Sequence, residues 1–354
     1  MKIALTPLAR AIGTWEGFLG ILTIGVLAYA GLALETFATS FNISQAIAGS
    51  AERAMIVLPM TLLIIAREID ISVASIMALS SVVFGVCIQA GGGLLASMAA
   101  ALLCGFACGA FNGLLVTWLG LPSLVVTLGT LAMFRGIGYV ILGSASVNIF
   151  PESFTDFGID TVLGTPLPWT IVPFLVLAPI FAVVLHATPL GRRIYAIGGN
   201  PETALYSGVN VSRIRFGLFV TSGLISAMAG IVFTARLANA RANNALGLEF
   251  DVITVALLGG ISIFGGRGKL AGVFWALILI ATLRNVLGLS QIGGDAQGVM
   301  IGLLLIGSLL ASNLAEGSWS SLAAARLRPV GPASGSRTGA SDKGPEMSNR
   351  GDTT

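Results

Sequence analysis

Long apolar runs follow one another along most of this 354-residue chain, and they leave few folds open. About 20 consecutive apolar residues cross the hydrocarbon core of a bilayer as a helix. In lipid, every backbone N–H and C=O must be satisfied without water, so only helices and closed barrels span. These runs are continuous rather than alternating, which argues against a barrel. Composition agrees: 55% of residues are hydrophobic, 10% are charged, and mean hydropathy is +0.92. A soluble domain carries about 25% charged residues. The expected fold is all-α, a polytopic membrane protein with about ten transmembrane helices, some of them short or re-entrant. The 46 glycines suit close helix–helix packing in lipid.

Ten candidate segments stand out: Phe18–Leu34, Ala54–Ala66, Ile71–Ala90, Leu94–Trp118, Ser123–Leu142, Trp169–His186, Phe216–Ala235, Val252–Phe264, Leu270–Leu287 and Ala296–Ala311. The second and eighth are short for independent spans. Lys2 and Arg10 put the N-terminus inside by the positive-inside rule. Six crossings then place Thr188–Arg215, with Arg192, Arg193, Arg213 and Arg215, inside as well. Gly143–Pro168, which holds Glu152, Asp156 and Asp160 but no Lys or Arg, falls outside. The C-terminus falls inside with Arg326, Arg328, Arg337, Lys343 and Arg350. Arg236 and Arg241 fall outside, against the bias. Beyond about Glu316 the chain is rich in Ser, Gly, Arg and Pro, a composition expected to be disordered.

Net charge is +3 and pI about 9.0, which basic inner loops account for. No basic stripe with interleaved aromatics suggests a nucleic-acid partner. Cys87, Cys104 and Cys108 lie inside apolar runs with no His or carboxylate to complete a metal site, so packing is their expected role. The first apolar run, with Ala28-Tyr29-Ala30 inside it, has features of a signal peptide but is nearly long enough to span, and is read as uncleaved. Ser123–Gly138 and Asp251–Gly266 echo each other as apolar runs ending in Phe and Gly; an internal repeat and a chance likeness of Leu/Val/Gly-rich helices both fit.

Few constellations carry chemistry. Arg67-Glu68-Ile69-Asp70 separates the second and third segments. Charges at membrane depth are costly and tend to line cavities or pair. Two readings stand: a helix break lining a pathway, with Asp70 or Ser72 capping the next helix, or a short cytoplasmic turn with a local ion pair. Arg135 lies well inside its segment and calls for an internal partner. Arg284 lies nearer an end and is expected to snorkel toward the interface. Gly259–Lys269 is glycine-rich, but a phosphate loop needs G-x-x-x-x-G-K-[ST]; Gly268-Lys269 is followed by Leu270, and Ile263 stands where the first Gly belongs. The glycines suit a turn between helices. His186 is alone at a segment end, and no paired carboxylates occur within a span, so neither an enzyme nor a densely charged ion-coupled carrier is favoured.

The polar stretch Thr188–Arg215 therefore holds most of the interest. Gly198-Gly199-Asn200-Pro201 is a turn signal. Pro201 suits the first turn of a short helix capped by Asn200, with Glu202 favourable to its N-terminal dipole. That helix runs through Ala204, Leu205 and Tyr206 and stops at Gly208. A docking knob and a plain connector lying on headgroups are the two readings.

Thr188–Val211 resembles the cytoplasmic coupling loop of permease subunits of bacterial carbohydrate ABC importers, the ribose, xylose, rhamnose and autoinducer-sugar group. Three further stretches fit in order: REIDISVASIMALSS (Arg67–Ser81), GLPSLVVTLGTLAMFRG (Gly120–Gly136) and ITVALLGGISIFGGRGKLAG (Ile253–Gly272). The likeness covers nearly all the chain except the tail. The resemblance implies a transmembrane permease domain over residues 1–315, with its coupling loop at 188–215, and a disordered cytoplasmic tail at 316–354. It implies a bacterial inner-membrane protein with both termini cytoplasmic. Its partners would be a second permease subunit, identical or homologous, a cytoplasmic ATPase and a periplasmic sugar-binding protein, with no nucleic acid. No cofactor or metal is expected on this chain; ATP hydrolysis belongs to the partner. The expected ATPase-coupling residues are Gly191, Gly198, Gly199, Asn200, Pro201, Glu202, Ala204, Ser207 and Gly208. Candidates for lining the sugar pathway are Asp70, Ser72, Thr127, Thr130 and Arg135. Two departures bear on this. Such permeases commonly carry Gly-Gly-Ile-Asp where this chain has Ala66-Arg67-Glu68-Ile69-Asp70, and two alanines and a basic residue where Thr203-Ala204-Leu205 stand. The Arg-Glu-Ile-Asp variant and the overall wording are nearest to rhamnose permeases, the best expectation for the sugar, with ribose, xylose and autoinducer sugar as close competitors and an ion-coupled carrier as the alternative of another class.

Overall fold

The apolar runs fold into helices that are stopped by glycines, prolines and capping side chains. The structure is a computed structural model that describes residues 14–294, 296–304 and 306–307. The basic N-terminal residues Lys2 and Arg10 and the tail at 316–354 lie outside the described residues. In chain order the helices are α1 (Trp15–Ala33), α2 (Ser40–Ala48), α3 (Ala51–Ile65), α4 (Val73–Gln89), α5 (Leu94–Thr117), α6 (Ser123–Leu142) and α7 (Glu152–Ile159). Then come α8 (Val172–Ala187), α9 (Pro189–Gly199), α10 (Pro201–Tyr206), α11 (Val211–Leu237), α12 (Leu248–Leu258) and α13 (Leu270–Leu289). Among the described residues the only extended pairings are two isolated bridges, Val147 with Ala240 and Thr161 with Pro168. The chain is an all-α, multi-pass membrane protein.

Among the described residues six helices are long and apolar enough to cross a membrane, α1, α5, α6, α8 (counted from Trp169), α11 and α13; a seventh span results if α2 and α3, bent by 40°, count as one. The ten segments thus resolve unevenly. The second gains its missing length from α2. The third, Val73–Gln89, is a shorter apolar helix. The eighth is not a continuous run: α12 ends at Leu258 and gives way to glycines in the left-handed region at 260, 265, 266 and 268. This also separates the two echoing stretches, since Ser123–Gly138 lies within one uninterrupted helix.

Helix α3 is the centre of the core. Nearly every residue from Ala51 to Ile65 is buried, as expected of a helix apolar on all sides. The longest helix, α11, packs most extensively on α5, and the contact is made by small residues. Gly105, Gly109 and Gly113 recur every fourth position and face Phe216, Phe219 and Gly223. A Cβ on Gly105 would lie 2.5 Å from Gly223 O, and one on Gly109 2.5 Å from Phe219 O. Backbones that approach this closely gain dispersion contacts that larger side chains would prevent. Cys104 and Cys108 pack beside this seam with Ile76, Leu79 and Phe134.

The Gly143–Pro168 connection is partly ordered by aromatic packing. Its helix α7 sets Phe154 against Phe84 with ring centroids 4.8 Å apart.

Candidate functional site

The polar stretch forms two helices, not one. Thr188 ends α8 and caps α9, its hydroxyl accepting from Gly191 N. Helix α9 buries Gly191, Ile194, Ile197 and Gly198 along one face and exposes Arg192 and Arg193 on the other. Gly198 and Gly199 are therefore not a turn, as their pairing suggests, but the last residues of a helix. The reason is space. A Cβ on Gly198 would stand 1.7 Å from Ile65 O and 2.4 Å from Gly266 N, and one on Gly191 would stand 1.9 Å from Leu185 O. Only hydrogen fits at either place.

Helix α10 has the predicted chemistry. Asn200 Oδ1 accepts from Glu202 N and Thr203 N, both at 3.0 Å, and Pro201 occupies the first turn. The helix ends in a Schellman closure: Val209 N donates to Ala204 O and Gly208 N to Leu205 O, with Gly208 at φ +83°. Ala204 is its one buried residue, while Leu205 and Tyr206 are 58% and 90% exposed. Glu202 and Ser207 are exposed as well.

The break between α3 and α4 is what α9 rests on. Helix α3 also closes in a Schellman motif, Glu68 N donating to Leu63 O and Arg67 N to Ile64 O, but its left-handed residue is Arg67, at φ +65°. A side chain in this conformation costs about 1–2 kcal/mol. The guanidinium offsets it with two bonds, Nε to Phe264 O at 2.7 Å and an Nη to Gly199 O at 2.9 Å. Gly266 N donates to Ile65 O at 2.8 Å, and the Tyr195 hydroxyl donates to Gly268 O at 2.7 Å. Burial raises the Tyr195 phenol above its usual range, favouring the protonated donor. The end of α3, the end of α9 and the glycine loop after α12 thus meet in one joint, with main chain in close contact at Gly198 and bonds donated by Arg67, Tyr195 and Gly266 N.

The four residues of the break engage three other helices, α9, α11 and α6. Arg67 reaches α9. Glu68 lies 2.8 Å from Arg215 Nε at the start of α11, a Coulombic contact, since that N–H is not aimed at the carboxylate. Ile69 N accepts no proton but donates its own to Ser123 Oγ, and Ile69 O accepts from Thr127 Oγ1 at 3.2 Å, both on α6. Asp70 is fully buried; its carboxylate accepts from Ser72 N, from Ser72 Oγ at 2.6 Å and from Ser222 Oγ on α11 at 2.9 Å. Asn112 on α5 then donates to Ser72 Oγ at 2.8 Å. The local ion pair expected of a plain turn is not what forms: Arg67 engages α9, while Glu68 and Asp70 both engage α11. Ser72 stands at the N-cap of α4 without capping it through its side chain.

The candidate pathway residues are placed as follows. Asp70, Ser72 and Thr127 belong to this buried network, and Thr130, one turn along α6, bonds back to Thr127 O. Arg135 stands apart, with Nη1 donating to Ala242 O at 2.8 Å and Asn244 O at 2.6 Å. Its internal partners are carbonyls of the loop after α11. Arg284 does not snorkel: it pairs with Asp251 at 2.6 Å, and Arg53 approaches the same carboxylate at 3.4 Å. Arg236 pairs with Glu52 at 2.8 Å, a partner for one of the two arginines that ran against the charge bias. A cleft of about 410 Å³ opens at the break, between Arg67, Glu68, Ile69, Ser123 and Arg215. A second, of about 570 Å³, lies between Gln89, Ser146 and Asn148. None of the five candidates lines either cleft.

The arrangement joins a surface helix pair to the packing of α3, α4, α5, α6 and α11. Comparison with known proteins gives it a context. Residues 42–309 match the family described as branched-chain amino acid transport system / permease component. The D-allose transport system permease protein AlsC of Escherichia coli (strain K12) is 38% identical over 303 residues, covering 85% of this chain and 92% of that protein. The autoinducer 2 import system permease protein LsrC of Yersinia pseudotuberculosis serotype O:3 (strain YPIII) is 34% identical over 297 residues, 82% of each chain. No solved structure matches.

Proposed function

The chain belongs to the branched-chain amino acid transport system / permease component family, and from that premise we propose that it is the membrane-spanning subunit of an ATP-driven monosaccharide importer. It acts in the bacterial inner membrane, with cytoplasmic termini, beside a second permease subunit. A periplasmic binding protein delivers the sugar, and a separate cytoplasmic ATPase supplies the energy through α9 and α10. The observation that carries this reading is the joint. Helix α10 projects Leu205 and Tyr206 while α9 is fixed to the α3–α4 break, so a push on α10 reaches the helices that Glu68, Ile69 and Asp70 hold. Coupling requires that the ATPase bind α10 differently in the two states of the bundle.

The relatives, more than the break, support the order in which sugars are tried. Arg67 and Glu68 are engaged in mechanical contacts, so the Arg-Glu-Ile-Asp wording says little about substrate. D-allose and autoinducer 2, named for the two relatives, head the panel, followed by rhamnose, ribose and xylose. Asp70, Ser72, Thr127, Thr130 and Arg135 act as the polar framework of the pathway, holding the helices that border it.

The test is uptake of each labelled sugar in a strain lacking other systems for it. Glu202→Arg, or deletion of Gly199–Gly208, should abolish uptake while the protein stays in the membrane. Uptake at the normal rate by these variants would remove α10 from the mechanism. Uptake that persists without the partner ATPase would instead favour an ion-coupled carrier.

A further inference from the structure

We propose that the groove between α3, α8 and α11 binds one anionic phospholipid, with an acyl chain along its floor and its phosphate at Arg213. The groove encloses about 460 Å³ and is walled by Pro59, Leu62, Phe181, Val184, Gly217 and Leu218, with Leu190 and Arg213 at one end. That volume lies in the ordinary range of small-molecule pockets, about 300–1,000 Å³. The lining is almost wholly apolar. Its one inward hydroxyl, Thr221 Oγ1, is already bonded to Gly217 O at 2.8 Å. Nothing inside the groove asks for a sugar or for water.

The groove exists because two positions withhold volume. Pro59 lies inside α3, and at Gly217 an added Cβ would meet nothing within 4 Å. Its outer wall, α8, is a span that exposes Val176 and Val183 beyond the groove, so the opening faces lipid. Its end is fixed by the chain: α8 stops at Ala187 and α11 starts at Val211, either side of the polar stretch. Arg213 therefore stands where the hydrocarbon meets water.

Charge chooses among occupants. Among the described residues Arg213 makes no ion pair and no side-chain hydrogen bond, nor do Arg192 and Arg193, which follow Leu190 on α9; Glu202 pairs with none of them. Two residues on, Arg215 has its carboxylate in Glu68. Uncompensated arginines beside an apolar groove between spans match a lipid that has both an anionic head and a chain. A zwitterionic lipid matches the groove but not the charge. A free phosphate compound matches the charge but not the groove.

The inference is independent of which solute is carried. It is tested on the full chain purified from membranes with the subunits that accompany it, delipidated and titrated with phosphatidylglycerol or with phosphatidylcholine of the same chains. Native mass spectrometry reads the retained lipid. Phosphatidylglycerol should be retained in preference, and Arg213→Gln, an exposed substitution, should cut that preference about fivefold. Gly217→Leu, which fills the floor, should lower retention of both lipids in protein whose melting temperature shows it folded. Equal retention of the two lipids by the unmodified protein, or an unchanged preference in Arg213→Gln, overturns the proposal. So does displacement of phosphatidylglycerol by an equal concentration of glycerol 3-phosphate, which would reveal a phosphate site without a lipid site.

Discussion

Helices α9 and α10 are neighbours in one polar stretch, yet they are stabilised in opposite ways. Helix α9 is held by tertiary contact: Gly191, Ile194, Ile197 and Gly198 are buried, and its end is bonded by Arg67. Helix α10 is held by its own ends, the Asn200 cap and the Gly208 closure, with Ala204 alone turned inward. Six residues are too few to be helical without such caps. The difference separates an anchor, whose sequence is dictated by the rest of the protein, from a knob, whose outer face is free to suit a partner. Substitutions in α9 should act on stability, and those on the outer face of α10 on transport.

The widest separation is expected within one glycine pair. Gly198→Val drives a side chain into Ile65 O and Gly266 N and should cost at least about 3 kcal/mol, enough to empty the membrane of folded protein. Gly199→Ala, whose Cβ meets nothing within 4 Å, should change stability by less than about 1 kcal/mol. Membrane abundance and melting temperature of the two variants measure this; similar losses would show that the joint is not set by close approach. Next in size is Leu205→Asp. It should leave the melting temperature alone and weaken ATPase association by roughly 2 kcal/mol, the scale of an interface hot spot, read by co-purification and uptake. A variant that binds normally would take Leu205 off the contact surface.

Arg67 sharpens the comparison from the other side of the joint. Arg67→Ala and Arg67→Gly both lose the bonds to Phe264 O and Gly199 O, but only glycine relieves the left-handed backbone. Arg67→Gly should therefore be the more stable of the two by about 1 kcal/mol. Equal melting temperatures would mean that the break relaxes when the guanidinium goes. The smallest effect belongs to Asn200→Ala, about 1 kcal/mol confined to α10, visible as faster amide exchange at residues 201–206 with α9 unchanged. Faster exchange across α9 as well would show that the two helices are one cooperative unit.

These cases also explain what the sequence could convey. The start and stop of α10 were legible because Asn200, Pro201 and Gly208 act on backbone groups two to five residues away. The same Schellman closure at Arg67 was not, because glycine is the signal for it and here an arginine is held in place by carbonyls from far along the chain. Gly198 and Gly199 misled for the complementary reason. Their absence of side chains serves a contact with residues 65 and 266, and a pair of glycines read locally means a turn. The multi-pass all-α fold was plain from the apolar runs, whereas the boundary at Leu258 and the union of α2 with α3 depended on packing. The Arg-Glu-Ile-Asp break was visible as an anomaly, but its four separate partners on α9, α11 and α6 lie 50 to 150 residues away and leave no local trace.

Where the joint sets main chain directly against main chain, it carries almost no side-chain information. The contact of Gly198 with Ile65 O and the bond from Gly266 N to Ile65 O would be the same in any permease that keeps small residues there, whatever it transports. Residues 200–208 can then drift, or be exchanged between permeases, without the mounting being rebuilt. If α10 is the ATPase contact proposed above, altering this one short exposed helix would be enough to rewire which ATPase drives which pore, and the pore itself need not record the change.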